Sequence, residues 1–205
     1  RETLKKHKRI IFNGNGYDDS WIKEATEERG LLNYRTTADC MPHLMDKKNV
    51  EMLTRQEVYT ENELKSRRDI MLENYNRTVI IEANTMAGMA KVHIVPAIEK
   101  FCADIASAAA SKKALCPELT CSWESKLVVR LSALIDEITA KTFALEDAIR
   151  EADGLDGVIE KSEFIRDNVI PKMSELRIPC DEAETLVDRS YWPIPTYGDI
   201  LYSVH

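Results

Sequence analysis

Few residues of this chain stand at spacings that chemistry requires. Asn13-Gly14-Asn15-Gly16 has the glycine density of a phosphate-cradling loop. Such a loop needs a Lys-Ser or Lys-Thr pair at its end and a strand before it, and the next glycine is Gly30. The segment therefore reads as a solvated turn after the apolar pair Ile11-Phe12. The run Lys5-Lys6-His7-Lys8-Arg9 could neutralise an anion. Consecutive cations around a helix end more often face solvent or an acidic neighbouring domain. His7, His43, His93 and His205 are never three or four residues apart, the spacing that puts two ligands on one helical face. Metal or Ser-His-Asp chemistry would need convergence of distant segments. Arg68, Glu82 and His93 could meet along one helix as a buried polar cluster, with structural hydrogen bonding a simpler role than proton transfer.

Cys40, Cys102, Cys116, Cys121 and Cys180 are scattered. Cys116 and Cys121 lack the second Cys/His pair of a zinc site, so free thiols in a reducing, cytoplasmic setting are expected. No catalytic, cofactor-binding or metal-ligating residue is assigned. Met71, Met86 and Met89 lie on or beside an apolar stripe and read as core filler. The C-terminal stretch is different. Tyr191, Trp192, Pro193, Pro195 and Tyr197 concentrate apolar area in a segment without helical period, and its X-Pro bonds lower the entropy lost on docking. These five are the candidate docking residues, for the chain's own bundle or for a neighbour, with packing inside the protein preferred.

Composition narrows the classes. At 205 residues, 44% hydrophobic and 31% charged, the chain can bury a sizeable core. A net charge of -7 argues against nucleic acid, whose phosphates call for a cationic surplus. No apolar run approaches the ~20 residues of a membrane span.

The elements are helical. Arg1 to Arg9 carries its cations early with no cap ahead of them, so it reads as the second half of a helix already under way in a longer protein. Short helices are expected from Ser20 to Arg29, with Gly30 as left-handed terminator, over Thr36–Leu44, and over Asp46–Arg55 with Asp46 as cap. Thr60 and Glu63 spell a capping box. Beyond it Met71, Tyr75, Val79, Ala83, Met86, Ala90, Ile94, Ile98, Phe101, Ile105 and Ala108 make one stripe to about Ser111, roughly 75 Å long at 1.5 Å per residue. Pro96 should kink or break it. A second long helix carries Trp123, Leu127, Leu131, Leu134, Ile138, Leu145 and Ile149 and ends at Gly154. A third starts at an Asp156 cap and bends at Pro171. Asp181 with Glu184 caps a short fourth. The expected fold is all-α, an antiparallel bundle of long helices with short N-terminal helices and an irregular tail. The domain plan is 1–59 as linking helices, 60–190 as bundle and 191–205 as tail.

His7 to Tyr17 resembles the stretch that follows the catalytic domain of type III glutamine synthetases. The resemblance continues through Trp21–Ala25, Arg29-Gly30-Leu31, Thr36–Asp39, Glu63–Arg67, Glu73-Asn74-Tyr75, Ile81-Glu82-Ala83 and Met89-Ala90-Lys91, and returns at Trp192–Leu201. Phe101 to Asp181 matches only in helical character. The resemblance implies an intact enzyme that joins ammonia to glutamate with ATP and Mg or Mn, through a γ-glutamyl phosphate. It also implies an upstream catalytic domain and a homo-oligomer, a dodecamer of two hexameric rings. Asn13–Gly16 echoes the family's Asn-Gly-x-Gly-x-His nucleotide motif, but Asp18 occupies the histidine position, so no catalytic residue carries over. This piece would serve assembly, stability or regulation. The alternatives are an independent helical-bundle interaction module and a small helical enzyme with a converged site.

Overall fold

Two capping boxes set where helices begin. In the computed structural model, which describes residues 1–195 and 197–202 (not the side chain of Tyr197), the Thr60 N–H donates to Glu63 Oε2 at 2.7 Å, and the Glu63 N–H donates to Thr60 Oγ1 at 3.3 Å. Thr36 and Asp39 do the same. The described residues are helices and loops without a strand, in two compact units, Arg1–Lys65 and Ser66–His205.

The first unit holds α1 (Glu2–Lys6), α2 (Asp19–Lys23), α3 (Thr37–Cys40) and α4 (Lys47–Arg55). Its buried hydrophobic residues are Ala25, Ala38 and Leu64, and beside them stands a half-buried aromatic stack. The Phe12 and Trp21 rings lie 3.8 Å apart at 15°, and the Arg29 guanidinium sits 5.0 Å from the Trp21 centroid. Arg29 also donates to the carbonyls of Arg9 and Ile11 and to Glu24. The Asn13–Gly16 turn lets Phe12 reach that stack, for a Cβ on Gly14 would lie 2.6 Å from the Phe12 ring. Gly30 takes φ +61, and the following Leu31 N–H closes on the Ala25 carbonyl at 2.8 Å. The Asp46 carboxylate does not cap α4; it pairs with His43 Nδ1 at 3.1 Å.

α5 (Glu61–Met89) continues through one π-turn, Ala90–Ile94, into α6 (Val95–Leu115). α7 (Ser122–Asp153) follows, then α8 (Val158–Phe164), a second π-turn at Ile165–Val169, α9 (Ile170–Leu186) and α10 (Tyr197–Tyr202). The side-chain bonds between α7 and the preceding helices give the direction. Lys91 meets Glu146, Cys102 meets the Val128 carbonyl and Lys112 meets Glu124, so one chain rises as the other falls. Arg130–Glu182 and Lys161–Asp153 show the same on the other side. The bundle is antiparallel, with α7 in the middle. Leu131, Leu134, Ile138 and Leu145 of α7 are fully buried among Ile98, Ile165, Val169 and Leu176.

Several expectations need correction. The helix expected to stop near Ser111 reaches Leu115, and Pro96 stands just after a π-turn through which the helix runs on. There the Val95 N–H reaches the Ala90 carbonyl five residues back, which takes up the misfit ahead of a ring that lacks a donor. Pro171 stands after the second π-turn in the same way. Asp181 starts no new helix. α9 passes through buried Pro179, which removes one N–H without stopping it. Gly157, not Asp156, is the N-cap of α8. On the stripes, Met71 and Ala108 are exposed while Leu72 is buried. Trp123 is 63% exposed. Glu124 takes the inward slot in its place because Lys112 meets it at 2.5 Å. The tail is irregular to Pro195, and α10 then spans Tyr197–Tyr202.

Replacing Leu131 by Ala should cost roughly 2–5 kcal/mol, the lost transfer energy plus a cavity. Lys126→Ala, at an exposed position of the same helix, should stay within about 0.5 kcal/mol. Urea melts of the two variants check the assignment of the buried face.

Candidate functional site

The most developed concavity lies in the second unit, where the tail turns back on the bundle. It begins at Asp188, whose Oδ1 accepts the Ser190 N–H at 2.8 Å and whose carbonyl accepts the Tyr191 N–H at 2.9 Å. The Ser190 hydroxyl, which also donates to Oδ1, and then the Ser190 N–H hold the Asp188 carboxyl below its ordinary pKa. The turn aims Tyr191 at α6. Its ring meets Phe101 at 5.2 Å and 55°, and its hydroxyl donates to Asp104 Oδ2 at 2.5 Å. Giving up that proton would set two anions against each other, so the phenol pKa is raised, first through the Asp104 hydrogen bond. Trp192 and Ile194 pack half-buried on the core. An Arg189–Asp199 ion pair ties the turn to α10.

Between tail, α5 and α9 lies a groove of about 580 Å³. Its floor is apolar, with Met86, Met89, Leu176, Trp192, Ile194 and Ile200. Glu82, Arg177, Asp181 and Glu184 stand at its edge. Of the candidate docking residues, Tyr191 and Trp192 face the bundle while Pro193 and Pro195 are exposed. Tyr197 belongs to α10, and its side chain lies outside the described residues, as do Thr196 and His205. Sequence reading missed Asp104, Asp188 and the α9 wall. Only Asp188-x-Ser190, an Asx-turn pattern, carried a local signal.

The other candidates separate. His7, His93 and Glu82 are exposed, Arg68 pairs with neighbouring Asp69, and His43 stacks on Tyr34 at 4.2 Å. The cysteines are free thiols. Burial pushes Cys180 up to about 11 and raises Cys102, which leaves both protonated and unreactive at neutral pH. Three carboxylates are held by cations of the chain itself. Glu124 is held low by Lys112, Glu182 by Arg130 and Asp167 by Arg166. Among the described residues no group of three His, Cys, Asp or Glu could hold a metal ion, so this donor set does not fit a metal–nucleotide centre. None of the described helices is long and apolar enough to cross a membrane.

The profile of the glutamine synthetase C-terminal domain matches residues 1–113. The chain belongs to that family. The glutamine synthetase of Butyrivibrio fibrisolvens is 34% identical over 204 residues, covering 100% of this chain and 29% of that protein. The type-3 glutamine synthetase of Dictyostelium discoideum is 30% identical over 98% of this chain and 28% of its own length. That of Bacteroides fragilis is 25% identical over 99% and 28%. The resemblance to type III enzymes is borne out, and the chain spans less than a third of the length of these glutamine synthetase relatives. The profile's range takes in Phe12, Trp21, Arg29 and the α5 wall of the groove, while α9 and the tail of this glutamine synthetase domain lie beyond it, within the span aligned to the relatives.

Two changes probe the tail. Trp192→Ala should lower stability by roughly 1–3 kcal/mol, less than for a fully enclosed ring, in a thermal melt of the chain. Tyr191 has a raised folded pKa, so its contribution is complete below the ordinary tyrosine range. It fades as pH rises from that range through the folded value. Tyr191→Phe should flatten this part of the alkaline stability curve, and the wild-type minus variant ultraviolet titration should show a phenol ionising later than free tyrosine.

Proposed function

We propose that this chain is the helical, non-catalytic C-terminal domain of an ATP-dependent glutamate–ammonia ligase, and that it serves the assembly and stability of the intact enzyme. The carrying observation is that the whole chain aligns with less than a third of full-length glutamine synthetases, under a family description that names the C-terminal domain. An upstream catalytic domain would then supply the sites for ATP, Mg or Mn, glutamate and ammonia. The partners are that domain and further subunits of a homo-oligomer, a dodecamer by family resemblance. The setting is the cytoplasm.

The chain's own chemistry supports a structural part. Some of its carboxylates pair between helices, as in Lys91–Glu146 and Arg130–Glu182. Its concavity is apolar, suited to packing and not to a polyanion.

Purified chain should neither bind Mg-ATP in calorimetric titration nor catalyse γ-glutamyl transfer. Micromolar nucleotide binding or turnover would overturn the non-catalytic reading. In the intact enzyme, disrupting the bundle with Leu131→Asp should shift sedimentation toward smaller species along with any loss of activity.

A further inference from the structure

Two exposed surfaces of this chain complement each other. One is the groove. Ile200 of the floor is 63% exposed and Ile81 beside it 59%, so apolar area continues out to the rim. Glu82 on α5 and Glu184 on α9 stand on that rim, and among the described residues neither has a cation partner. Arg177 is engaged by Asp181 at 3.1 Å. The rim therefore presents negative charge around an apolar slot.

The other surface is the segment from Arg1 to Ile11. None of its residues is buried. Leu4 is 63% and Ile10 62% exposed, with Lys5, Lys6 and Lys8 between them. Among the described residues these three lysines make no ion pair. Apolar side chains flanked by cations are what an apolar slot flanked by carboxylates recognises. The segment is a short α-helix to Lys6 followed by a 3-10 turn over Lys8–Ile10, and Met86 with Met89 supplies a floor that can adapt to both pieces.

We propose that residues 1–11 of a second copy of this chain dock in the groove, with Leu4 and Ile10 against Met86, Met89 and Trp192, and with Lys5 and Lys8 facing Glu82 and Glu184. The proposal deepens the assembly role argued above and names its partner. Groove-to-groove pairing across a two-fold axis would bring the free carboxylates of both copies together, a repulsion that the unlike pairing avoids. The contact is head-to-tail. Such contacts close into a ring or propagate as a chain of subunits.

The test uses the 205-residue chain in analytical ultracentrifugation at moderate salt up to about 100 µM. Wild type should self-associate. Lys5→Glu with Lys8→Glu, and separately Glu82→Lys with Glu184→Lys, should each weaken association at least about tenfold, consistent with loss of close charge pairs. All four positions are exposed, so both variants should melt like wild type. Mixing them should restore association, because each then offers the other a complementary surface. A wild type that stays monomeric overturns the proposal, as do variants that associate like wild type or a mixture that remains monomeric. A segment docked on its own chain, or a groove reserved for an unrelated helix, would give one of those results. None of them bears on ligase activity, so the glutamine synthetase reading would survive the failure of this contact.

Discussion

α7 carries an apolar stripe that water must not reach on either side, and the architecture of the second unit follows from covering it. Leu131, Leu134, Ile138 and Leu145 are fully buried, and Ile149 nearly so. Each contributes about 1.5–3 kcal/mol by leaving water, so an uncovered flank would forfeit a large part of a net stability of only ~5–15 kcal/mol. One partner cannot wrap so broad a face. α6 lies against α7 on one side and α9 on the other, both antiparallel, which short connections make the cheapest arrangement to close. The one hydroxyl deep in that face, Thr142, is satisfied within its own helix by the Ile138 carbonyl at 2.7 Å.

The two prolines show how strongly that packing governs the backbone. Pro96 and Pro171 each occupy the second position of a resumed α-helix, and each follows a π-turn. Breaking the helix would have swung its next apolar residues off the core. A π-turn inserts one extra residue and rotates the following stripe, so that Ile98 and Phe101 after the first, and Leu176 after the second, still face α7. The requirement that both flanks stay covered outweighs the local preference for a break at each proline.

This explains what could be read from the chain alone. The capping box at Thr60, the left-handed Gly30 and the α7 stripe are local patterns, legible because one helix or one turn contains all their parts. Trp123 misled because its apolar character fits the period, whereas the Lys112–Glu124 pair that takes the inward slot joins residues from two helices. Arg68, Glu82 and His93 looked like a cluster because sequence proximity was mistaken for a shared face. The tail's aromatic content marked it as a docking segment, but Asp104, which accepts the Tyr191 hydroxyl, lies far upstream with no local mark. The groove had no signal at all, being assembled from α5, α9 and the tail only after folding. Family resemblance, by contrast, was legible in the phrase around Asn13 and in the C-terminal words Trp192–Leu201.

In this account the second unit is one cooperative body in which α9 and the tail are as integral as the α6–α7 pair, as the proposed part in assembly and stability requires. Native-state hydrogen exchange measures that directly. The account predicts that amides in the centres of α6, α7 and α9, around Ile98, Ile138 and Leu176, exchange with one shared opening free energy equal to that of global unfolding, and that the Tyr191 amide is protected well beyond a solvated turn. Exchange of α9 and the Tyr191 amide through a much easier opening, with α6 and α7 still closed, would contradict it.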